Sequence, residues 1–248
     1  MNPAHRQLGH RVRFDWGPTG AAAIAEGADV AVVVDVLSFT TTLCVAVERG
    51  ITVLPYRWKD DRAAAYASER DATLAVGRLE ARSLTEGAGV SLSPAAMARV
   101  TGVERIVLPS PNGSAISFGL ADRGCVVAGA CLRNRAAVGR WLLERGGTVA
   151  VVAGGERWPD DSLRPCAEDL YGAGAVLALL PEADLSPEAR LAADAFRTVE
   201  PRLAATLHDC AGGRELAAAG FADDVDVAAG LDAANVVPVL ENGEFRVV

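Results

Sequence analysis

Asp35 closes an apolar run, residues 30–34, and is followed by Val36-Leu37-Ser38-Phe39 and then Thr40, Thr41 and Thr42. A carboxylate at a strand end beside a threonine-rich helix start can ligate a divalent cation or attack phosphorus. The hydroxyls and free helix amides would then receive phosphate oxygens. The plainer alternative is that Asp35 caps the turn and the threonines fill space. A run of three threonines costs helix propensity, which favours the functional reading. A second loop, Pro109-Ser110-Pro111-Asn112-Gly113-Ser114, combines an Asn-Gly turn with a hydroxyl at a helix start. Glycine there lets backbone amides approach an anion, although such turns are also purely structural. The third loop carries Gly154-Gly155-Glu156-Arg157, Asp160-Asp161 and Glu168-Asp169, with Arg164 among them. That density of acids suits Mg²⁺, a hard cation that takes oxygen ligands and bridges to phosphate. A solvated acidic loop ahead of a helix is the alternative.

Each of these loops follows a short β-branched run and precedes an alanine-rich amphipathic stretch. Strands are expected at 30–35, 51–54, 73–76, 105–108, 125–128 and 148–152, and helices at 40–48, 60–70, 114–121, 134–144 and 167–180. This alternation predicts an α/β fold, in which ligands collect at the carboxyl ends of strands. From Ser186 helix follows helix, and 235–240 with 245–248 around Asn242-Gly243 reads as a closing hairpin. There is no linker, so 1–248 reads as one domain. A weak self-similarity between 28–50 and 147–180 admits two similar halves, about 1–125 and 126–248.

The chain has 248 residues, half of them hydrophobic, and a formal charge of −8. An acidic surface opposes sequence-independent nucleic-acid binding. Lys59 is the single lysine, so Schiff-base chemistry at any other position is excluded. Cys44, Cys125, Cys131, Cys166 and Cys210 form no C-x-x-C pair, and His5, His10 and His208 are scattered. The thiols read as reduced, and no zinc site is indicated. With no apolar leader and no run near the ~20 residues of a membrane helix, a soluble cytoplasmic protein without membrane contact is expected. Proteins of this size are often homodimers. The cysteine-phosphatase loop, the second aspartate of haloacid-dehalogenase-type phosphatases, the Walker loop, the dinucleotide fingerprint and G-x-S-x-G are all missing.

Taken in order, Asp35 to Thr42, Ser93-Pro94, Asn112-Gly113-Ser114, Asn134-Arg135-Ala136, Gly154-Gly155, Glu168-Asp169 with Ala173-Gly174-Ala175, and Gly220 to Asp224 with Val237-Pro238 resemble the 2-phosphosulfolactate phosphatase (ComB) family. The resemblance implies a ComB-like α/β fold and Mg²⁺-dependent hydrolysis of the phosphate ester of a small anionic 2-hydroxy acid. It implies catalytic roles for Asp35, Thr40, Thr41 and Asn112, and substrate contacts from Ser38, Arg78, Gly113, Ser114, Asn134, Gly154 and Gly155. Asp35 with Glu156, Glu168 or Asp169 would hold the metal. Two positions depart from the family pattern: Ser38 stands where an arginine is usual, and Gly77-Arg78 where Gly-Glu is usual. These departures leave a second expectation, a small-anion-binding protein that retains the fold without turnover.

Overall fold

The computed structural model describes residues 2–57, 62–83 and 90–248. Its strands are β1 (Val12–Trp16), β2 (Val30–Val34), β3 (Thr52–Tyr56), β4 (Thr73–Val76), β5 (Val90–Ser91), β6 (Arg105–Pro109), β7 (Val126–Ala130), β8 (Val149–Ala153), β9 (Glu156–Arg157), β10 (Leu163–Arg164), β11 (Pro238–Glu241) and β12 (Glu244–Val247). The helices are α1 (Gly17–Ile24), α2 (Phe39–Glu48), α3 (Arg62–Ser68), α4 (Arg78–Ser83), α5 (Pro94–Met97), α6 (Gly113–Ala121), α7 (Arg135–Arg145), α8 (Ala167–Leu177), α9 (Pro187–Val199), α10 (Leu203–Asp209), α11 (Ala211–Ala218) and α12 (Ala222–Ala228). The α/β alternation expected from the sequence is what forms. Of the helix expected at 60–70, residues 62–68 form α3 and Glu69 and Arg70 are a turn, while residues 60 and 61, with Lys59, lie outside the described residues.

Ten strands join one sheet in the order β1-β8-β2-β7-β11-β12-β3-β6-β4-β5. A parallel block, β1-β8-β2-β7, and a second one, β3-β6-β4-β5, are joined through the antiparallel hairpin β11-β12. Strands from before and after residue 125 thus interleave. β2 is central to the first block and all five of its residues are fully buried, which is why it reads as an unbroken apolar run. Its two faces supply different cores: Val30, Val32 and Val34 pack with α8 and α9, while Ala31 and Val33 pack with α1, α2 and α6. Strand β1 was not anticipated, because buried Arg13 interrupts its apolar residues. The Arg13 guanidinium is satisfied by the carbonyls of His10, Ile24 and Glu26. Among the described residues no helix is long and apolar enough to cross a membrane.

Candidate active site

The carboxyl end of β2 delivers Asp35 into a buried junction of two helix starts. Its Oδ1 accepts the amide of Phe39, the first residue of α2, at 3.1 Å, and its Oδ2 accepts the amide of Gly113, the first residue of α6, at 3.2 Å. Gly113 is required for this approach: a Cβ there would stand 2.2 Å from the Phe39 ring and 3.0 Å from Asp35 Oδ2. Beneath Asp35, Asp169 at the start of α8 clamps the strand ends. Its Oδ1 accepts the Val36 amide and its Oδ2 the Gly155 amide, both at 2.7 Å. Gly154 bonds Val34 through its own amide, and Gly155 takes a left-handed φ of 67°, so this glycine pair shapes the floor under Asp35.

Burial pushes the Asp35 carboxyl up to about 6, with the Glu156 and Glu168 charges adding and the two amides opposing. Burial, followed by the charges of Asp35 and Glu168, likewise pushes Asp169 up, against the pull of its own two amides. The site therefore concentrates negative charge without a matching number of cations.

A cavity of about 130 Å³ opens over Asp35, with Ser38, Arg78, Ser110, Asn112 and Glu156 around it and Leu37, Phe39, Leu92 and Leu108 completing an apolar wall. Asn112 Nδ2 donates to Glu156 Oε1 at 3.0 Å, which ties the second loop to the third. Ser110 Oγ accepts the amides of Asn112 and Gly113 at 3.3 and 3.0 Å, and its proton has no acceptor among the described residues. Also lining the cavity, Arg78 at the start of α4 donates from Nη2 to Ser38 Oγ and from Nε to Asp224 Oδ2, both at 2.6 Å. Asp224 is almost fully buried and also accepts the Ser93 hydroxyl and, at 3.2 Å, the Ala95 amide. The two positions that depart from the family pattern, Ser38 and Arg78, therefore touch each other.

Several expected site residues are turned inward. Thr40 Oγ1 donates to the Asp35 carbonyl at 2.8 Å and accepts the Asp35 amide at 2.9 Å; Thr41 Oγ1 donates to the Val36 carbonyl at 2.8 Å. Both are buried and shape the turn that carries Asp35, so the threonine run is explained by backbone hydrogen bonds and not by phosphate contact. Ser114 Oγ bonds the Leu108 carbonyl, and Asn134 is spent on Cys131, Gly129 and Val236. The four acids do not make one metal cage either. Asp169 is occupied under the strands, and Glu168 lies against α11, where a Cβ on Gly212 would stand 2.2 Å from Glu168 Oε1. Among the described residues no three His, Cys, Asp or Glu side chains gather closely enough to hold a metal ion by themselves. Asp35 and Glu156 alone of the four line the cavity. Sequence reasoning placed Ser110 in the second loop and Asp224 in the family-like segment from Gly220 but gave neither a role in the site.

An α/β protein with a carboxylate at a strand end, held by two helix N-termini in a cavity that an arginine also lines, has the parts to handle a small phosphorylated anion. A family model for 2-phosphosulpholactate phosphatase matches residues 21–243. The chain is 32% identical over 222 residues to a probable 2-phosphosulfolactate phosphatase of Symbiobacterium thermophilum, covering 87% of this chain and 92% of that one. Proteins of the same description from Parasynechococcus marenigrum, 32% identical over 225 residues (86% and 90% covered), and Thermotoga petrophila, 28% over 218 residues (87% and 90%), are also similar. The chain belongs to the 2-phosphosulfolactate phosphatase family, a family of phosphoric monoester hydrolases.

Proposed function

We propose that the protein hydrolyses the phosphate ester of a small anionic 2-hydroxy acid, with 2-phosphosulfolactate as the first substrate to test, in a Mg²⁺-dependent reaction. The observation that carries this reading is the Asp35 carboxylate, fixed by two helix-start amides in the lining of a cavity that Arg78 also lines. The cavity, about 130 Å³ and open on one side, admits a small phosphorylated group. Arg78, the Ser110 hydroxyl and Asn112 Nδ2 are the donors for its oxygens, and Leu37, Phe39, Leu92 and Leu108 complete the lining. Catalysis in such a site rests on positioning and charge.

The donor set fits a hard cation bound in the manner of Mg²⁺, which uses one or two carboxylates and completes its shell with water and phosphate. Asp35 and Glu156 would hold it, relieving the repulsion between these carboxylates and an anionic substrate. Phosphate release from a panel of 2-phospho-hydroxy acids, with Mg²⁺ and with EDTA, tests the reading; no metal-dependent release from any member overturns it. A phosphorylated Asp35 trapped during turnover would assign the attack on phosphorus to that carboxylate.

A further inference from the structure

Arg78 borders a second cavity besides the one over Asp35. This cavity, of about 460 Å³ and open to solvent, is lined by Ser91, Ser93, Arg99, Asp223 and Asp224 together with Arg78. The two cavities are neighbours. The Arg78 guanidinium bonds Ser38, in the lining of the first, and Asp224, in the lining of the second. Leu92 lines the first cavity while Ser91 and Ser93, on either side of it in the chain, line the second, because successive side chains of an extended segment point in opposite directions. Of the two positions expected to depart from the family pattern, Ser38 lines the first cavity alone, whereas Arg78 lines both.

The second cavity offers more side-chain donors than acceptors. Asp224 is occupied by Arg78, the Ser93 hydroxyl and the Ala95 amide. Arg78 Nη1, by contrast, has no partner among the described residues, and neither has the exposed Arg99 guanidinium. Ser91 Oγ accepts the Ser93 amide at 3.1 Å, and its proton has no acceptor among the described residues. Against these three donors the described lining sets one unpaired side-chain acceptor, the exposed Asp223 carboxylate, which forms no ion pair with Arg99.

We propose that the second cavity receives the sulfonate of the substrate while the phosphate lies beside Asp35, with Arg99 as the residue that sets specificity for this second anionic group. The inference rests on the phosphatase reading above. Arg78 Nη1, Arg99 and the Ser91 hydroxyl are three donors for the three sulfonate oxygens, and Arg78, which borders both cavities, stands between the two anions of one ligand. No bond is made or broken in this cavity. The contacts are the same in the bound substrate and in the transition state, so they lower KM and leave the chemical step to the Asp35 cavity. An analogue without the sulfonate forgoes them, which makes the cavity a source of discrimination.

The test compares 2-phosphosulfolactate with 2-phospholactate, which lacks only the sulfonate, at low ionic strength. The wild type should prefer the first by about tenfold or more in kcat/KM. Arg99→Gln should lower that preference by about tenfold, through KM, as expected for loss of a hydrogen bond to a charged group. Asp223→Asn, which removes the opposing charge, should raise it two- to threefold. Both side chains are exposed, so neither variant threatens the fold. Equal use of the two compounds by the wild type, an unchanged preference in Arg99→Gln, or a lowered preference in Asp223→Asn would each overturn the proposal, the last because it would mark a cavity for a cationic group. If the wild type releases phosphate from neither compound, the phosphatase reading fails by itself. Calorimetric Kd values for the same two compounds then decide the inference, with the same expected ratios, and absence of binding overturns it.

Discussion

Asp35 and Asp169 are held by four backbone amides, whereas Arg78, across the same cavity, is held by two side chains, Asp224 and Ser38. An amide clamp depends on the path of the chain: strand ends, helix starts and the glycines at 113, 154 and 155. Its donors come with the fold wherever those glycines are kept. A side-chain clamp depends on which residues occupy particular positions, and it can be rebuilt by exchanging them. Ser38 and Arg78, the two positions expected to depart from the family pattern, both belong to the side-chain clamp. The difference separates a fixed chemical end from a recognition end that is open to change.

The largest test is aimed at the fixed end. Asp35→Asn should lower kcat for metal-dependent phosphate release by about 10³-fold, the loss seen when a preorganised charged group is removed, with little change in KM. A loss below about tenfold would mean that Asp35 is only a cap and that the comparison fails.

A second test reads the same carboxylate through stability. With Asp35 pushed up to about 6 from an ordinary carboxyl value of about 3.9, the folded state binds its proton more tightly than the unfolded chain does. That stabilisation is fully present below about pH 4 and lost as pH rises through about 6, on the order of 3 kcal/mol in all. Metal-free protein should therefore show a Tm that declines over this window, with a shallower decline in Asp35→Asn. Added Mg²⁺ should raise Tm more at pH 7.5 than at pH 5, because only the ionised carboxylate pairs with it. Equal shifts at both pH values would place the cation elsewhere.

The arginine wall predicts a smaller, differently distributed loss. Asp224→Asn removes the charge that orients Arg78 and should cost about 1–3 kcal/mol in kcat/KM, carried mainly by KM. In a double-mutant cycle with Arg78→Gln the two losses should not add, because both disable one arm. Additive effects would show that Asp224 acts on packing alone.

How far the sequence reveals this arrangement follows the same division. The buried run of β2 and the carboxylate that ends it are legible, because a strand covered on both faces must be apolar and an acid at its end is conspicuous. The Asn-Gly turn and the glycine pair are legible for similar local reasons. Thr40 and Thr41 are visible as residues, but their direction is not. Only the three-dimensional turn shows that their hydroxyls are consumed by the carbonyls of Asp35 and Val36. Glu168 and Asp169 are adjacent in sequence, yet they face different elements once α8 forms. Asp224 is visible as the end of the Gly220 to Asp224 segment, but its partner is not, since it meets Arg78 across 146 positions and only the folded packing of α12 brings them together.

The smallest effects test whether the recognition end is exchangeable. Ser38→Ala deletes a single acceptor from Arg78 and should weaken kcat/KM by about 1 kcal/mol, a few-fold change, since Asp224 still holds the guanidinium. Ser38→Arg alone should cost more, because a second guanidinium is forced against Arg78 within hydrogen-bond distance. Adding Arg78→Glu converts that repulsion into an ion pair and restores the family's residue types at both positions. The double variant should then be more active than Ser38→Arg, although Asp224 now faces a carboxylate at position 78 instead of a cation and loses its ion-pair partner. If Asp224→Asn improves the double variant while impairing the wild type, the arginine wall is a set of exchangeable charges around one buried aspartate. If the double variant is no better than Ser38→Arg, position 78 is tied to this chain's own backbone as firmly as Asp35 is, and the contrast between the two walls disappears.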